Sequence, residues 1–98
     1  MGRHIPTPFY LELAKNEGGR KLKIDSILRV IPGKRLSGVS SWQNSTVVIK
    51  LFFQPKRWKR NFLRDVRGIN LLLRHHILTP KILHQTTTSD GRGAVLII

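Results

Sequence analysis

The chain has 98 residues, a length that fits one domain, and its 40% hydrophobic content is enough for a single core and too much for a disordered polyelectrolyte. Eighteen Lys and Arg stand against five Asp and Glu, and the resulting +13 should attract polyanions such as nucleotides, nucleic acids or anionic lipid surfaces without choosing among them. The absence of cysteine excludes disulfides and thiolate metal sites, and no apolar run approaches the roughly 20 residues of a bilayer span.

Residues 1–23 read as a flexible lead. Its first stretch, Met1 to Tyr10, lacks the long apolar core of a signal peptide, and a cytoplasmic chain is expected. Pro6, Pro8, Gly18 and Gly19 interrupt it. Between them Phe9, Tyr10, Leu11, Leu13 and Ala14 predict one weak element of one or two helical turns. The folded part is expected over 24–98.

A first strand is predicted over 24–31, where Ile27, Leu28, Val30 and Ile31 favour extended structure. Pro32 and Gly33 mark a turn. A second strand follows over 35–42. Its alternation is imperfect, and Gly38 signals a bulge or a close backbone approach. After the turn at Gln43, Asn44 and Ser45, residues 46–53 give the clearest strand. One charge, Lys50, interrupts its apolar run and must reach solvent, a partner or a ligand.

Pro55 opens a helix over 56–74, with Trp58, Phe62, Val66, Ile69, Leu72 and Leu73 recurring at spacings of three and four. Lys56, Arg57, Lys59 and Arg60 crowd the helix N-terminus, where the macrodipole is also positive, so an anionic partner is indicated there. Two further strands are expected over 81–88 and 94–98, joined through Asp90 and Gly91 as a hairpin. The predicted fold is α+β: a five-stranded antiparallel sheet with one main helix, in the order β-β-β-α-β-β. His4, His75, His76 and His84 lack a spacing that would converge on a metal.

Read from the residues alone, Lys50 fits either a ligand-binding lysine or an edge-strand lysine reaching water. Asp65, the lone acid of a basic helix, fits a functional partner or a simple pair with Arg64 or Arg67. Gly33 fits a turn glycine as well as a site residue. The basic helix face fits a solvated face, and Trp58 and Phe62 fit the core.

The strand order with a lone lysine in the third strand resembles the N-terminal lobe of protein kinases. The runs LRVIPGKR at 28–35, SWQ at 41–43, VIKLFF at 48–53, PKR at 55–57 and ILTPKIL at 77–83 resemble one branch, the bacterial lipopolysaccharide-core (Kdo) kinases. The resemblance spans about 24–98. It implies that Lys50 holds the α- and β-phosphates of ATP, with Asp65 where the family has a helix glutamate paired to that lysine. Gly33, Lys34 and Arg35 then sit where a loop covers the phosphates, although this is not a Gly-x-Gly-x-x-Gly loop. ATP is the implied cofactor, held weakly.

Phosphoryl transfer needs a group that positions the nucleophile and ligands for magnesium. The sequence has no His-Arg-Asp or Asp-Phe-Gly segment. The expectation is therefore a lobe that is not catalytic alone, either a piece of a longer kinase or a naturally short relative, with magnesium bound only when a second lobe is present. Its acceptor surface, by resemblance, is an anionic glycolipid at the inner face of the membrane. An apolar patch near Leu96, Ile97 and Ile98 is expected to promote self-association through the sheet edge. Two other functions compete: a small basic nucleic-acid-binding module using Trp42, Trp58 and the helix, and an interaction protein that docks through an unfinished sheet edge.

Overall fold

A computed structural model of the chain describes residues 6–98. His4 lies outside the described residues. The architecture is α+β. Strands β1 (Phe9–Glu12) and β2 (Lys21–Ile24) form a two-stranded antiparallel ribbon. Strands β3 (Ser26–Ile31), β4 (Arg35–Trp42), β5 (Ser45–Phe52), β6 (His84–Thr87) and β7 (Ala94–Ile97) form a five-stranded antiparallel sheet, in the spatial order β3-β4-β5-β7-β6. Helix α1 (Trp58–Arg74) lies between β5 and β6 in sequence.

The weak helical turn expected at residues 9–14 is not formed. Phe9, Tyr10, Leu11 and Glu12 are strand, and a 3-10 turn at Lys15–Glu17 leads into β2. The reason is packing. Leu13, Leu22 and Ile24 are buried against Trp42, Val47, Ile49, Val95 and Ile97, so the ribbon covers one face of the sheet. Alternation in β2 places Leu22 and Ile24 inward and Lys21 and Lys23 outward. The buried hydroxyl of Ser40 donates to the carbonyl of Lys23 at 2.5 Å and ties β2 to β4.

Gly38 carries both features indicated by the sequence. The register between β3 and β4 shifts between Ile27 and Arg29, and a Cβ at Gly38 would stand 2.7 Å from both Ile24 Cγ2 and the Ser26 carbonyl oxygen. We therefore expect Gly38→Ala to cost about 1–3 kcal/mol, the usual penalty for overpacking. A urea melt indistinguishable from the parent would contradict this.

Turn chemistry fixes the hairpins. Gln43 and Asn44 have φ of 50° and 66° and form the two-residue β4–β5 connection favoured by the right-handed twist of the strands. At the β6–β7 end, the Thr88 hydroxyl donates to Asp90 Oδ1 at 2.6 Å and the Arg92 N–H donates to it at 2.9 Å. The Thr88 bond, then the Arg92 bond, hold the Asp90 carboxyl below its ordinary range.

Strand β7 is buried at every residue, because it lies between β5 and β6 with a covered face on each side. This corrects the expected apolar patch: Leu96 and Ile97 are fully buried, and Ile98 exchanges backbone bonds with Val48 at 2.9 and 3.0 Å. The outer strands of the sheet are β3 and β6. Ala14 donates to the Thr87 carbonyl at 2.9 Å and Leu13 bridges Thr88, so one end of β6 is already engaged. The fourth sheet strand is shorter than expected, at His84–Thr87, and the helix starts at Trp58 rather than residue 56. Lys56 has φ of 66°, incompatible with a helical turn.

Candidate cation-lined cleft

The second face of the sheet builds the site. Side chains two apart on a strand share a face, and directly paired residues share it across strands. Arg29 pairs with Ser37 and Ser37 with Lys50, so these three form one row across β3, β4 and β5. Ile31, Arg35 and Phe52 form the adjacent row. Helix α1 covers this face only on its β5–β7 side, where Phe52 and Leu96 pack against Ile69 with Trp58, Phe62, Val66 and Leu73 around them. The β3–β4 side stays open. The result is a cleft of about 230 Å³ lined by Arg29, Ile31, Arg35, Leu36, Ser37, Lys50 and Asp65.

Lys50 is central, because β5 is the third of five strands. That removes the edge-strand reading of this lysine. Its ammonium donates to Asp65 Oδ2 at 3.0 Å, with the two side chains 33% and 24% exposed. The helix therefore presents its acid to the sheet lysine, and the shorter aspartate reaches it directly. The ammonium has three donors, so two remain for other acceptors.

The sequence-predicted residues divide into three groups. Lys50, Asp65 and Arg35 meet in the cleft. Lys34 lies beside it, in a contiguous depression of about 590 Å³ that also holds Arg35, Arg57, Arg64 and Asp65. Gly33 lines neither. It sits at φ 73° in the β3–β4 turn, where Lys34 N–H bonds the Ile31 carbonyl at 3.0 Å. That left-handed backbone suits glycine. The Lys34 carbonyl in turn accepts from Phe53 N–H at 3.0 Å, which fastens this turn to the end of β5.

Arg29 and Ser37 were not singled out by sequence. The β-bulge explains Arg29: Ile27 pairs with Gly38 and packs into the ribbon side, and the shift turns Arg29 to the opposite face. Strict alternation from Ile27 would have assigned Arg29 to the wrong face. Arg57 and Arg64 were legible only as part of a basic helix.

The electrostatics are one-sided. Arg29, Arg35 and Lys50 face one carboxylate in the cleft, and Lys34, Arg57 and Arg64 extend the same sign next to it. Among the described residues, no group of three or more His, Cys, Asp or Glu side chains gathers in a way that could hold a metal. No helix among them is long and apolar enough to cross a membrane. The Trp residues expected to stack on bases are elsewhere: Trp42 is 7% exposed and stacked on His84 at 5.1 Å, and Trp58 packs under α1. No protein-family model, curated protein or solved structure matches this chain.

Proposed function

We propose that the cleft holds the phosphates of a nucleotide, and that the chain is the nucleotide-binding lobe of a protein-kinase-like fold resembling the lipopolysaccharide-core (Kdo) kinases. One observation carries the reading: a lysine in the middle of a five-stranded antiparallel sheet is aligned by a helix carboxylate at 3.0 Å, inside a cleft walled by Arg29 and Arg35. Within the five-stranded sheet, the order of three strands, the helix and two strands supports it.

The residues present fit a phosphate chain. Lys50 supplies a compact charge with free donors, and Arg29 and Arg35 supply planar forks suited to phosphate oxygens. Ser37 adds a hydroxyl on the same row. Asp65 orients Lys50 and lowers the cost of holding three cations together. The same residues do not fit magnesium. That ion requires several oxygen ligands, and the one carboxylate lining the cleft is committed to Lys50. The chain's own contribution is thus to bind and orient phosphates, with the nucleophile-positioning and metal-holding groups supplied from elsewhere.

The nucleic-acid reading has less support, because stacking platforms are needed beside the cations and both Trp residues are used in packing. The test is a titration with MgATP, and in parallel with a short single-stranded oligonucleotide, followed by backbone amide shifts in moderate salt. Shifts confined to residues near Arg29, Ser37 and Lys50 with MgATP are expected. Shifts spread along α1 with the oligonucleotide, and none near Lys50 with MgATP, would overturn the proposal.

A further inference from the structure

Helix α1 presents two different faces. An α-helix turns about 100° per residue. Trp58, Phe62, Val66, Ile69 and Leu73 lie toward the sheet, where they pack on Phe52 and Leu96. Arg60, Leu63, Arg67, Leu71 and Arg74 fall within about 80° of one another on the opposite side, and all five are exposed. The stripe is about 21 Å long at 1.5 Å per residue. The helix's one acid, Asp65, is turned away to Lys50.

Two properties of this face coincide. It is strongly cationic, and it leaves large apolar side chains in water: Leu63 is 47% and Leu71 51% exposed. Past the helix C-terminus, Ile77 and Leu78 are 51% and 101% exposed. From that coincidence we infer that the outward face of α1 docks on an anionic lipid bilayer, lying in the plane of the interface. Arginines there pair with lipid phosphates while their aliphatic stems stay at the acyl boundary. The leucines enter the apolar layer between them.

Other occupants fit less well. Nucleic acid would satisfy the arginines and leave the leucines in water. It would also lack a base-stacking ring, since the exposed large aromatic among the described residues is Tyr10, on β1 across the sheet. A second copy meeting this face about a two-fold axis would set arginine against arginine.

Flotation of the whole chain with vesicles tests the proposal. Binding is expected to phosphatidylcholine vesicles that contain phosphatidylglycerol and not to phosphatidylcholine alone. Replacing the three arginines together (R60Q, R67Q, R74Q) should weaken it roughly a hundredfold. The pair L63S and L71S should weaken it about tenfold with the charge unchanged. Lys50→Ala should bind vesicles as the parent does, which separates this surface from the nucleotide cleft. Parental affinity in either the arginine or the leucine variant overturns the proposal. So does preferential capture by an oligonucleotide that the leucine changes leave intact. The parent alone provides an independent reading: leucine insertion should preserve part of the binding at high salt, and complete release there would overturn the bilayer assignment.

Discussion

Replacing Phe52 with alanine is expected to cost about 3–5 kcal/mol, the range for truncating a large aromatic in a core. For a chain of this size the total stability is on the order of 5–15 kcal/mol, so one substitution removes a large part of it. Phe52 is fully buried, meets Phe62 edge-on at 5.7 Å, and joins Ile69 and Leu96 in the cluster that seats α1 on the sheet. The loss should therefore be local in character. A cavity under α1 frees the helix to shift, and Asp65 moves with it away from Lys50. Leucine at the same position should recover much of the stability by refilling the space. Truncating Ile97, on the ribbon side, should cost about 2–5 kcal/mol while leaving the helix on its seat. Urea melts give the energies, and backbone amide shifts along α1 report whether the helix moved. A Phe52→Ala loss below about 1 kcal/mol would mean that α1 is held by something other than this cluster.

That separation between the two packed faces explains what the sequence could and could not reveal. The five sheet strands and the helix were legible because their signals are local. Residues 46–53 are β-branched and aromatic, residues 58–73 carry a helical period, and Asp90 with Gly91 marks a hairpin. The ribbon was not legible. Phe9, Tyr10 and Leu11 form a strand only because Leu13, Leu22 and Ile24 find a sheet face to cover, and that partner lies far along the chain. The site shows the same division. Lys50 stood out as a charge inside an apolar strand, and its pairing with Asp65 followed from the resemblance to kinases. Arg29 was hidden because a one-residue bulge reverses which way it faces. The buried position of Leu96 and Ile97 was hidden too, since their strand enters the middle of the sheet rather than its edge.

Removing the Lys50 ammonium should separate binding from folding. The Lys50–Asp65 pair keeps only a third and a quarter of its side-chain surface in water, so Lys50→Ala leaves a partly buried carboxylate without its donor and should cost about 1–3 kcal/mol, a loss the fold should survive. Affinity for MgATP should fall tenfold or more, since a charge-assisted contact to phosphate is lost together with its net charge. Lysine and arginine are not equivalent here: arginine would keep the charge but replace a point donor with a broad fork beside Arg29 and Arg35, so only partial recovery is expected. Asp65→Asn then decides how the cleft works. If the cations act only through their field, deleting an acid makes the cleft more positive and ATP binds more tightly. If Asp65 holds Lys50 at the working position, the amide positions it less firmly and binding weakens despite the added positive charge. The role given to Asp65, orienting Lys50, requires the second result. Calorimetry of parent and variants at two salt concentrations measures both, because a purely electrostatic gain should vanish as salt screens it, whereas a loss of positioning should persist.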